Sequence, residues 1–138
     1  MGGGERTWDR WRRVLVGGLL MVTLTGSPAT AEMQLLPGAA ADLDQVTVDE
    51  VLATFRQAEQ ALRAGDVDGI MALYSEQYNY HGLKKTDMRK VWTNLFDEFR
   101  ELSDTHHFSR MIRVGSGSKT IIEVTCTGSL SGLSKTGG

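Results

Sequence analysis

Apolar residues recur at three- and four-residue steps from Val48 to Leu102, and from His106 onward the pattern gives way to β-branched and aromatic runs. One switch from a helical to an extended period predicts helices first and an antiparallel sheet after them, an α+β arrangement. At 138 residues and 41% hydrophobic content, one domain with its own core is expected.

The first helix is expected to open at Thr47, whose hydroxyl can cap it while Glu50 reaches back. Val48, Val51, Leu52, Phe55, Ala58 and Leu62 then form one apolar stripe. Gly65 suits the left-handed stop of a helix, and Asp66 is placed to cap a short second helix from Val67 to about Ser75. Tyr78, Tyr80 and His81, ahead of Gly82, favour a short strand. A third helix, capped by Thr86 or Asp87, carries Met88, Val91, Trp92, Leu95, Phe96, Phe99 and Leu102 at helical spacing.

Residues 106–114 and 119–130 flank a Gly-Ser-Gly-Ser turn and read as a β-hairpin. A turn centred on Ser116-Gly117 sets Arg110 opposite Glu123, an opposite-charge pair, and Ile112 opposite Ile121. That register puts His107, Ser109 and Met111 on one face with Ile122, Val124 and Cys126; His106, Phe108, Ile112 and Ile121 take the other.

Ahead of the helices, Arg6, Arg10, Arg12 and Arg13 precede the apolar run Val14–Gly26 and the small residues Ala29-Thr30-Ala31. This is the layout of a signal peptide spanning residues 1–31, with cleavage after Ala31 and a secreted or periplasmic product free of the membrane. The run is too short to cross a bilayer, which takes about 20 residues. Residues 32–46 read as a flexible linker before a domain at 47–138. Cleavage removes four arginines and two acidic residues from 15 basic and 17 acidic ones, leaving 11 against 15. A net negative chain argues against a nucleic-acid partner. Cys126 is the sole cysteine, so the fold has no internal disulfide; in an apolar strand it reads as a small buried hydrophobe.

The stretch FRQAEQALRAGDVDGIMALYSEQYNYHG, residues 55–82, with its A-G-D-x-D corner and following aromatic strand, resembles the SnoaL-like branch of the nuclear transport factor 2-like superfamily. Ketosteroid isomerases and polyketide cyclases are among the members. The resemblance runs from about Val46 to Leu133. It implies a cone-like fold, a curved antiparallel sheet wrapped round the N-terminal helices to enclose a pocket, in a homodimer. The family continues with two more strands, so the resemblance also implies a domain incomplete at its C-terminus. The isomerase's tyrosine, base and second aspartate would fall at Ala58, at Gly82 and past Gly138. The resemblance therefore lends the chain no reaction.

Candidate chemistry rests on His81, at the end of the aromatic strand, and on His107. Either can exchange a proton near neutral pH, with Tyr78 or Tyr80 donating to a carbonyl. His106 and His107 are neighbours on a strand and point apart, so they make no metal site, and no cofactor is called for. Asp66 and Asp68 suit helix capping, and Lys84, Lys85, Arg89 and Lys90 a solvated face. The expected function is binding of a small, largely apolar molecule in a pocket walled by Tyr74, Tyr80, Trp92, Phe96 and His107. One alternative is an isomerase- or cyclase-type enzyme using His81, His107 or Tyr80 on a steroid- or polyketide-like substrate. Another is a dimerisation module using the Phe108, Ile112 and Ile121 face.

Overall fold

A computed structural model describes residues 16–17, 20–22, 32–115 and 120–137. The expected cleavage after Ala31 lies outside them. In chain order the elements are strands β1 (Val16–Gly17), β2 (Leu20–Val22) and β3 (Glu32–Leu35), then helices α1 (Gln45–Ala64) and α2 (Val67–Met71). Strands β4 (Asn79–Tyr80) and β5 (Leu83–Lys84), helix α3 (Lys85–Glu98) and the long strands β6 (Phe99–Val114) and β7 (Ile121–Ser134) follow. The architecture is α+β.

Helix α1 begins earlier than Thr47. Asp44 is the cap: one carboxylate oxygen accepts the Thr47 N–H and the other the Thr47 hydroxyl, both at 2.9 Å. Thr47 is thus a buried donor inside the first turn. The helix stops at Gly65, whose φ of 64° is the left-handed value expected there. Asp66 then accepts the Gly69 N–H at 2.9 Å and caps α2. A Cβ on residue 69 would lie 2.5 Å from that carboxylate, so a side chain there would have to displace the cap. Helix α2 ends at Met71, well before Ser75.

The aromatic strand finds its partner immediately. His81 and Gly82, with φ of 50° and 89°, turn β4 back on β5, since two successive positive φ values match the twist of a tight hairpin. Lys84 holds the cap position of α3, and its N–H is accepted by the Asp87 carboxylate at 2.9 Å. Asp87 therefore closes the first turn from inside rather than capping it. Helix α3 ends at Glu98, and Phe99 and Leu102, expected on its stripe, instead open β6.

Strands β6 and β7 pair antiparallel, β3 lies parallel to β6, and β1 and β2 lie parallel to β7. The sheet is mixed rather than purely antiparallel. Its parallel strand β3 comes from the segment expected to be a linker. That segment is anchored further by Leu36, whose N–H donates to Phe108 O at 3.0 Å, and by Ala39, whose carbonyl accepts the Met111 N–H at 2.6 Å. Ala39 is buried, and Ala40 packs against the cluster that Val51 of α1 joins.

The β6–β7 register also departs from expectation. Glu123 faces Ile112, Ile122 faces Arg113 and Ile121 faces Val114, a slip of two residues that leaves six in the connection instead of two. An even slip preserves the faces. What changes them is the irregularity between Phe108 and Arg110, where Ser109 has no partner. Between this bulge and a second irregularity at Arg100–Ser103, the side chains of β6 from Ser103 to Phe108 are inverted relative to strict alternation. Phe108 joins Met111, Ile122, Val124 and Cys126 on the inner face, fully buried under Val51 of α1. It is not part of an outer dimerisation face with Ile112 and Ile121.

Candidate functional site

Along the inner face, β6 presents Asp104, His106, Phe108 and Met111, and β7 presents Leu130, Gly128, Cys126, Val124 and Ile122. Two apolar clusters occupy this face. Phe108, Met111, Ile122, Val124 and Cys126 gather beneath α1, and Leu130 joins Leu102, Ala61, Leu62 and Ile70 nearer α2 and α3. Between the clusters the face is polar: Asp104 and His106 sit there, opposite Leu130 and Gly128.

The polar groups are ordered in line. His106 Nε2 lies 2.7 Å from Asp104 Oδ2, and Nδ1 of the same ring lies 3.9 Å from Cys126 Sγ. Phe55 of α1 packs edge-on against the imidazole at 5.1 Å, and Phe108 stacks on it at 5.9 Å. Gly128, directly across from His106, makes the arrangement possible. A Cβ at residue 128 would lie 2.1 Å from the Thr105 carbonyl oxygen and 3.5 Å from Nδ1. Without it, the strands close and the ring leans toward Cys126.

The electrostatics follow from this geometry. Burial by itself disfavours the imidazolium, but the hydrogen bonds to Asp104 and Cys126 and their charges outweigh it, raising His106 from 6.5 to about 9. At neutral pH the centre of the inner face thus holds an ion pair, with side chains only 18% and 14% exposed. The second carboxylate oxygen, Asp104 Oδ1, is buried and accepts no hydrogen bond from any described residue. A thiol, an imidazole and a carboxylate in line can hold and move a proton, and the free oxygen can accept a hydrogen bond from a bound molecule.

Of the residues expected to wall a pocket, the structure gathers Tyr74, Trp92 and Phe96. Trp92 Nε1 donates to the Tyr74 hydroxyl at 3.0 Å, and the Trp92 and Phe96 rings are 6.2 Å apart. All three pack against the cluster that contains Leu130. Burial raises the Tyr74 phenol above its usual value, the Trp92 hydrogen bond notwithstanding. Tyr80 and His107 are not brought to this group. Tyr80 is 51% exposed on β4 and packs edge-on against His81, which occupies the hairpin turn. His107 points from the outer face, in register with Thr127 and with Gln34 of β3.

His106, not His107, meets Cys126, because the Ser109 bulge exchanges the two histidines between faces. Asp104, His106 and Cys126 were legible only as an alternate-residue pair on one strand and a lone thiol on the next; no local signal marks a bulge at a serine. Elsewhere, Asp68 pairs with Arg89 at 2.8 Å rather than capping α2, and Lys85 donates to Glu76. Among the described residues no helix is long and apolar enough to cross a membrane. No protein-family model, no curated protein and no solved structure matches the chain.

Proposed function

We propose that the domain binds a small, largely apolar molecule against the inner face of the sheet, over the Asp104–His106 pair. The carrying observation is Asp104 Oδ1, which has no hydrogen-bond partner among the described residues and is buried between two apolar clusters. Leaving a buried acceptor unsatisfied costs about 1–3 kcal/mol, so a ligand that donates to it gains what the protein alone forgoes. The favoured ligand is an apolar ring or chain bearing a hydroxyl or N–H. Phe55 lies on one side, and Leu130 with the Tyr74–Trp92–Phe96 group on the other. The SnoaL-like kinship, its cone-like enclosure, homodimer and export after cleavage at Ala31 belong to the same proposal. They rest on the A-G-D corner, the helix order and the N-terminal pattern.

The test is a titration of the folded protein with 2-naphthol, followed by its fluorescence. Saturable binding that weakens in Asp104→Asn and His106→Ala is expected. A folded wild type with no saturable binding would remove the proposal.

A second reading is favoured by the 2.7 Å contact between Asp104 and His106. A carboxylate that orients an imidazole is the arrangement of a general acid or base, so a proton-transfer enzyme would use His106 where His81 or His107 was expected.

A further inference from the structure

The sulfur of Cys126 sits at the inner end of a line of polar groups that begins at a partly exposed carboxylate. The Asp104 and His106 side chains are 14% and 18% exposed, and Cys126 at the far end is buried at 4%. A thiol packed purely as a hydrophobe would face apolar neighbours alone. This one faces a ring nitrogen that Asp104 orients, across a position kept empty by Gly128.

The geometry points to Cys126 as a covalent attachment site for a small apolar α,β-unsaturated carbonyl compound that carries a hydroxyl group. This rests on the binding proposed above, with Asp104 Oδ1 accepting the hydroxyl. Asp104 already holds the imidazolium at neutral pH, so the Cys126 thiol gives its proton to solvent as it reacts and His106 supplies the proton carried on Nδ1. Sγ bonds to the β-carbon, the C=C pair shifts toward the carbonyl as an enolate, and Nδ1 delivers its proton to the α-carbon. The product is a neutral thioether beside a neutral imidazole. Apart from the thiol proton nothing leaves, and no oxidant is consumed. Addition needs no oxyanion hole, only a sulfur nucleophile and a proton donor within reach of the same double bond, and these are what the inner face provides. Asp104 is a positioning residue: it holds the ring by Nε2 so that Nδ1 faces the sulfur.

The probe is 4-hydroxy-2-nonenal with the full folded chain near neutral pH. Intact mass and peptide mapping follow the adduct, and glutathione at equal thiol concentration gives the reference rate. One adduct on Cys126, formed faster than on glutathione, none in Cys126→Ser, and a rate roughly 10-fold or more lower in His106→Gln, is the expected result. Asp104→Asn, checked by circular dichroism to be folded, should move the pH profile of the rate to lower pH without abolishing the adduct. A wild-type rate no faster than glutathione, or a folded His106→Gln variant that reacts as fast as wild type, would overturn the inference. Saturable binding of 2-naphthol by Cys126→Ser separates the two claims. If it binds while wild type forms no adduct, the covalent site fails and the binding reading stands. If neither is seen, both fail.

Discussion

His106 touches Asp104 two residues back on its own strand, at 2.7 Å, and Cys126 across the sheet, at 3.9 Å. One ring therefore ties the middle of β6 to the middle of β7 on the side that faces α1. Its charge state should be felt by the whole sheet.

Stability is accordingly expected to depend on pH in the alkaline range. The folded value for His106, about 9, lies above its ordinary 6.5, so the folded state holds the proton more tightly than the unfolded chain. The resulting stabilisation is complete below about pH 6.5 and disappears as the pH rises through about 9. Melting temperatures recorded from pH 6 to 10 should fall across that window, and the fall should flatten in Asp104→Asn. A wild-type profile as flat as the variant's would contradict the assignment.

Gly128→Ala should be among the most damaging small substitutions in the chain. Its methyl group would lie 2.1 Å from a backbone oxygen of the facing strand, which no side-chain rotation relieves. Overpacking of this kind costs typically about 1–3 kcal/mol, and a backbone clash belongs at the upper end. Thermal melts give the magnitude. An unperturbed melting temperature would mean that the strands are further apart than described.

Phe108→Ala tests the core itself. Phe108 is wholly buried, edge-on to Phe55 at 4.8 Å, and truncating such a phenylalanine costs about 3–5 kcal/mol. Chemical denaturation should show a loss of that size, against little change for the exposed Tyr80→Ala.

How much of this was legible in the chain divides along one residue. The α1 stripe, Gly65 and Asp66 are set by local rules, and local rules found them: periodicity places Val48 and Val51 inward, and only glycine is comfortable at φ 64°. The faces of β6 above Arg110 were also readable, since Met111 lies with Ile122 and Val124 as alternation requires. Ser109 is where that logic stops. A bulge is stabilised by the pairing of two strands, not by the residue that bulges, so nothing in Phe-Ser-Arg announces it. From there the reading was inverted, and the histidine at the centre of the face was assigned to its neighbour. Phe99 and Leu102 were misplaced for a related reason: their spacing continues the α3 stripe, but pairing with Ser134 and Leu133 draws Phe99 and Arg100 into the sheet.

The bulge yields a contrast between two deletions. Deleting Ser109 leaves Phe108 next to Arg110 and restores regular alternation, with Asp104, His106 and Phe108 still facing α1. Since Ser109 is exposed and its hydroxyl makes one bond to Thr125 O at 3.3 Å, the variant should fold with its inner face intact and lose about 1 kcal/mol or less. Deleting His107 likewise removes one residue but throws Asp104 and His106 to the outer face. The ion pair leaves its place between the apolar clusters, and the contact with Cys126 goes with it. Circular dichroism melts of both deletions, with the pH series repeated on each, decide the matter. Only the Ser109 deletion should keep the alkaline loss of stability.

The last expectation concerns the edge of β7 that faces away from β6. Backbone pairs join it to β1 at Val124 and Thr125 and to β2 from Gly128 to Leu130, the same stretch that carries Cys126 and Gly128 on its inner face. A protein that begins at Glu32 lacks both strands and presents these amides and carbonyls to solvent. An open edge of that length recruits another strand, and a second copy of the same chain offers one at equal concentration. The product should be a dimer whose mass depends on concentration, while the full chain stays smaller at the same concentrations. Light scattering over a dilution series gives the answer. A shortened chain that remains a folded monomer throughout would mean that the edge is protected by twist rather than by pairing, and would count against the homodimer.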